Sequence, residues 1–182
     1  FHVAETGYTH QMDMPDVPGP EELASHDELR HAWIDELDRV PDSLKEAVGR
    51  EIAIDMRPVE PWNLLAPDKR APAQYVWFRA KDAVPKDQAV HRAVLTYASD
   101  FNLLTTSQMP HGVSFFTPGM QMASIDHALW FHGDLEVDDW LLYCMDSPGA
   151  QDSRGLSRGL IFARDGRLVA SVAQEGLIRQ RD

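Results

Sequence analysis

Apolar residues recur at helical spacing over residues 21–48, where Leu29, Trp33 and Leu37 stand four apart. Residues 50–63, REIAIDMRPVEPWN, read instead as a strand broken by Pro58 and Pro61, because proline offers no ladder hydrogen bond. A proline-containing loop, LLAPDKRAPA, leads from there to a second strand candidate, QYVWFRA. Residues 11–20, QMDMPDVPGP, predict an extended connector. Prolines are unevenly spread, nine of the twelve lying at or before Pro85.

From Pro85 onward the pattern changes. PKDQAVHRAVLTYASDFNLL carries Pro85 at a first-turn position and Asp87 where a helix dipole favours negative charge. Placing residues 100° apart puts Ala93, Tyr97, Asp100 and Leu104 in one stripe, with Val90, Val94 and Phe101 beside it. That spacing predicts Asp100 at the edge of the apolar face. Next come strand candidates at MQMASIDHALWFHG and DWLLYCMDS. Two apolar runs then flank RDGR, where Asp165-Gly166 is a hairpin turn signal. One long helix followed by antiparallel strands is an α+β layout, a sheet packed over a helix.

Two further polar residues interrupt apolar rows. Strand alternation puts Leu168, Ala170, Val172 and Gln174 on one face. It likewise groups Met122, Ser124, Asp126, Ala128 and Trp130, with Ile125, His127 and Leu129 opposite. Buried polar groups need partners, and an Asp, a hydroxyl and a carboxamide can satisfy one another or jointly hold a water. Taken singly, each has a plainer reading. A helix-edge Asp is solvated or a cap, Gln174 is a strand-edge residue, and Ser124 says almost nothing.

Composition narrows the classes. The chain has 29 acidic against 17 basic residues, a net charge of -12, which argues against a nucleic-acid or anionic-membrane surface. Its 43% hydrophobic content is that of an ordinary globular protein. No stretch approaches the roughly 18 apolar residues of a membrane span. Cys144 is the single cysteine, so no internal disulfide forms, and its apolar surroundings mark it as packing. The opening FHVAETGYTH lacks signal-peptide character and the closing IRQRD lacks a peroxisomal Ser-Lys-Leu address, giving an expectation of a cytoplasmic protein.

The blocks VHRAVLTYASDFNLL, ASIDHALWFH, DDWLLYCMDS and SRGL…RDGRLVASVAQEGLIR resemble the second half of the acyl-CoA thioesterase II (TesB-type) family over roughly residues 50–182. The resemblance implies a double hotdog, two repeats of a curved antiparallel sheet wrapped around one long helix, with residues 88–104 as the second central helix. Residues 1–48 would be the end of the first repeat plus a linker, and 49–182 the second repeat. It also implies hydrolysis of an acyl-CoA thioester to fatty acid and CoA, with no cofactor or metal and with hotdog pairing into an oligomer. The catalytic set it implies is Asp100 from YASD, Ser124 before IDH, and Gln174 from AQEG. Asp100 would orient and partly deprotonate the attacking water. Ser124 and Gln174 would hold that water or the thioester carbonyl. The alternative is a non-catalytic acyl-binding or assembly half that needs the missing first repeat.

Other candidates carry less. GLSRG at 155–159 matches the nucleophile elbow around Ser157, but that motif requires a strand, a turn and a helix, and here a hairpin is predicted. Asp126, His127 and His132 do not share one strand face as metal ligands would, so Asp126 and His127 are expected as structural groups bracketing the site. Arg154, Arg158, Arg164 and Arg167 are candidates for the CoA phosphates, against an equally simple solvated hairpin. Trp130, Phe131 and Trp140 are expected in core and sheet packing, and DELDRVPDSLKE as a solvated helix face.

Overall fold

A computed structural model describes residues 5–35 and 52–181. Leu37 and most of the acidic stretch fall outside the described residues. The periodic segment before them forms α1, His26–Asp35.

The strands are β1 (Ile54–Pro58), β2 (Ala73–Ala80), β3 (Met120–Ser124), β4 (Ala128–Phe131), β5 (Leu141–Gln151), β6 (Arg154–Ala163) and β7 (Leu168–Gln180). They form one antiparallel sheet in the order β1-β2-β5-β6-β7-β3, with β4 also on β7. Against one face lies α2, Gln88–Ser99, followed by the short α3, Leu103–Thr106. Asp87 caps α2 by accepting the Ala89 N–H at 2.9 Å.

The predicted central helix is therefore broken at residues 100–102, where Asn102 takes a left-handed φ of 64°. Its buried face also differs from the expected stripe. His91, Leu95, Ala98 and Ser99 face the sheet, whereas Ala93, Tyr97 and Asp100 are exposed, Tyr97 by 55%. Hydropathy hid the true face because two of its residues are polar but satisfied. His91 Nδ1 accepts the Val137 N–H at 3.1 Å, and Ser99 is bonded on both sides. Tyr97 instead meets Phe101 edge to face, 5.1 Å between centroids.

The core between helix and sheet holds Ile54, Met56, Val76, Phe78, Leu95, Leu103, Tyr143 and Ile161. Glycines let α3 approach closely. Gly155 and Gly176 are paired across β6 and β7, and a Cβ on Gly155 would lie 2.6 Å from Ser107 Cβ and one on Gly176 2.5 Å from Leu104 Cδ1.

The opposite face carries Trp77, Trp140, Leu142 and Phe162, packed against Met14, Val17 and Leu23. The expected connector is thus a strap across the outer face. Trp77 Nε1 donates to Pro18 O at 2.9 Å, and Gln11 bonds Gly166 O and the Leu168 N–H at the far hairpin. Trp140 is buried as expected, but Trp130 is 54% exposed and Phe131 sits under Arg92 at the surface. The sequence also hid the β5–β6 hairpin, whose turn residues Asp152 and Ser153 both have positive φ, 50° and 61°.

Candidate active site

Asp100, Ser124 and Gln174 come from three elements and meet at the inner face of the sheet. Gln174 is fully buried on β7, and its Nε2 donates to Asp100 Oδ1 at 2.6 Å and to Ser124 Oγ at 2.8 Å. Both protons of the amide are thereby used. Ser124 then has its own hydroxyl proton left to donate. The Asp100 side chain is 62% exposed, so its second oxygen faces solvent.

Sheet residues hold the helix break that carries Asp100. From β5, the Tyr143 hydroxyl donates to Ser99 C=O at 2.8 Å, satisfying a carbonyl that the helix end leaves unpaired. From β2, Gln74 Nε2 donates to Asn102 C=O at 3.0 Å and to Thr106 Oγ1 at 2.8 Å. Burial, and then the negative charge of Asp100, hold the Tyr143 phenol well above its ordinary range, so it remains a donor.

A β-bulge re-aims the opposite wall. Ile125 and Asp126 both donate their N–H to Glu175 C=O, at 2.9 and 3.3 Å, while Asp126 Oδ1 accepts the Glu175 N–H at 2.8 Å. Pairing accordingly slips by one residue, from Ser124 opposite Gly176 to Ala128 opposite Ala173. The predicted alternation fails at that point. Ser124 and His127 both face the helix, and Leu129 packs on the core, while Asp126 turns outward to brace the bulge. His127 Nε2 lies 2.9 Å from Ser99 Oγ, and its Nδ1 3.9 Å from Asp100 Oδ1.

The arginines stay away from this cluster. Arg154 and Arg158 alternate on β6 with the buried Gly155 and Ser157, and so point to the outer face. Arg158 makes a bidentate pair with Asp146 at 2.9 and 2.6 Å, and Arg154 pairs with Glu175 at 3.2 Å. Arg164 and Arg167 are likewise paired, with Glu21 and Asp165. Ser157 lies inside β6, opposite Gln174, with no turn or helix after it, so the nucleophile-elbow geometry is absent. Among the described residues no group of three His, Cys, Asp or Glu is arranged to hold a metal. His132 bonds Ser171 Oγ instead.

Sequence reasoning missed Ser99, Tyr143 and Gln74 as the supports of Asp100. The one available signal was Asn102, a residue type that tolerates positive φ and so marks a helix break.

Residues 43–177 match the acyl-CoA thioesterase family. Acyl-CoA thioesterase 2 of Haemophilus influenzae is 35% identical over 179 residues, covering 98% of this chain and 62% of that protein. The crystal structure of acyl-CoA thioesterase II TesB2 from Mycobacterium marinum is 36% identical and superposes with a TM-score of 0.71, over 98% of this chain and 60% of that one. A hot dog fold protein from Alicyclobacillus acidocaldarius, at 14% identity and a TM-score of 0.66, shares the fold. The chain thus spans about three fifths of the length of these relatives. A hotdog sheet around a broken helix, matched along three quarters of its length to one family, places this chain among the acyl-CoA thioesterases.

Proposed function

We propose that the chain is the second hotdog repeat of an acyl-CoA thioesterase and carries its catalytic residues, Asp100, Ser124 and Gln174. The supporting observation is one fully buried amide that ties a solvent-facing carboxylate to a hydroxyl on the opposite wall. Asp100 orients the attacking water and takes up its proton. Ser124 accepts from Gln174 and donates its own proton toward the water or the thioester carbonyl. Gln174 has no N–H to spare, so its part is to fix the other two. The products are a fatty acid and CoA, and no acyl-enzyme is required. The setting is lipid metabolism in the cytoplasm, without cofactor, metal, nucleic acid or membrane insertion.

Residues 1–48 belong to the end of a preceding repeat and its linker in this reading, and a partner repeat or second copy completes the assembly. The exposed β3–β4 edge and the outward Ala93 and Tyr97 on α2 support pairing. These same features favour, as the second reading, an assembly half that is silent until paired.

Thiol release from acyl-CoAs of several chain lengths separates the two, measured on this chain alone and joined to a preceding hotdog repeat. Hydrolysis that Asp100→Asn and Gln174→Ala each slow by at least about 10-fold is the expected result. No hydrolysis by either form, or unchanged rates in both variants, overturns the catalytic assignment.

A further inference from the structure

We infer that His127 stores the proton that Asp100 takes from water, a role that rests on the hydrolytic reading above. Ser99 Oγ donates to Thr96 C=O at 2.9 Å, and a hydroxyl has one proton to give. Toward His127 the same oxygen can therefore only accept, so the ring nitrogen 2.9 Å away, Nε2, carries the hydrogen. A neutral imidazole has one N–H, which leaves Nδ1 as a bare lone pair.

That lone pair is buried and has no hydrogen-bond partner, an arrangement that is ordinarily destabilising. Asp100 Oδ1 stands 3.9 Å from it, too far for a bond while neither atom carries a proton and near enough for a small side-chain rotation to close. Because Nδ1 is closed to solvent, its exchange of protons runs through Asp100 rather than through bulk water.

The surroundings leave Asp100 as the charge that governs the ring. Gln174 from β7 and Ser124 from β3 are uncharged, and Tyr143 from β5 is a neutral donor to Ser99 C=O. Asp126 beside it on the bulge faces outward onto the Glu175 N–H, and Glu175 itself pairs with Arg154.

The step balances. As the water oxygen forms its bond to the thioester carbon, its proton passes to Asp100 and on to Nδ1, and the carbonyl π pair moves to oxygen. When the tetrahedral adduct collapses, the C–S bond breaks with its pair on sulfur. The stored proton returns through Asp100 to that sulfur, CoA leaves as the thiol, and the acid product loses its remaining proton to solvent. His127 touches neither water nor substrate and acts through Asp100, as a positioning residue.

The test compares thiol-release kinetics of the full chain and His127→Gln from pH 5 to 9, on whichever assembly hydrolyses acyl-CoA. The expected result is a kcat at neutral pH lowered about 100-fold or more with KM within about twofold, the range of a positioned proton-transfer group. The acid limb of kcat should also move, because the group that stores the proton is gone. A limb that stays in place, or an unchanged kcat, overturns the inference. Nitrogen-detected NMR of wild-type His127 needs no variant and decides the case if His127→Gln does not fold. Hydrogen on Nε2 and a bare Nδ1 at neutral pH support the proposal, and the opposite tautomer overturns it. Loss of the hydrolytic reading itself registers separately, as a wild-type rate that Asp100→Asn leaves unchanged.

Discussion

Replacing Gln174 by Leu separates catalysis from stability at a single buried residue. The variant loses a hydrogen bond to a carboxylate, ordinarily worth about 1.5–3 kcal/mol, and one to a neutral hydroxyl, about 0.5–1.5 kcal/mol. The first loss is discounted because Asp100 is largely exposed and water replaces the amide. Two gains oppose what remains. Gln174 Oε1 is buried without a partner, a penalty of about 1–3 kcal/mol that the variant removes, and leucine adds apolar contact in a closed site. The folded state should change by no more than about 1 kcal/mol, a Tm within about 4 °C of wild type for a chain of this size. The rate should fall much further. Losing about 1.5–3 kcal/mol of positioning at the base corresponds to about 10- to 150-fold in kcat/KM. Thermal unfolding and thiol release on the same preparation measure both. A rate within about twofold of wild type refutes the positioning argument. A Tm drop beyond about 8 °C shows Gln174 to be a structural support and refutes the stability argument.

Other outcomes follow from the packing. Tyr143→Phe leaves Ser99 C=O without its donor in a buried site and should lower stability by about 1–3 kcal/mol, read as a lower Tm. Gly155→Ala forces a Cβ to 2.6 Å from Ser107 Cβ and should cost about 1–3 kcal/mol by denaturant unfolding, while Gly166→Ala strains a turn with φ 89° but meets no neighbour. Burial pushes the Cys144 thiol up to about 12, so its modification by a thiol reagent should be slow at pH 8 and accelerate as pH rises toward that value.

Much of this fold could be read from the chain because apolar runs mark its strands and Asp165-Gly166 announces its hairpin. The helix face could not, since His91 and Ser99 look solvent-seeking in sequence and are paid for by partners on distant elements. The bulge at Ile125–Asp126 was equally invisible, because one extra residue inverts every side chain after it while leaving composition unchanged. It is the reason His127 rather than Asp126 joins the cluster. The meeting of Asp100, Ser124 and Gln174 was legible as three polar interruptions of apolar rows together with the family blocks. Which of them is buried was not: Gln174 is enclosed, and the other two are open to solvent. The ion pairs that occupy Arg154 and Arg158 depend on cross-strand register, which no spacing along the chain reveals.

The most direct test of the central claim is the rate of acyl-CoA hydrolysis by Asp100→Asn, which keeps an oxygen to accept from Gln174 but removes the base. The expected result is a folded protein with a Tm within about 4 °C of wild type and a kcat lower by about 100-fold or more. A folded Asp100→Asn that hydrolyses acyl-CoA at the wild-type rate would contradict it.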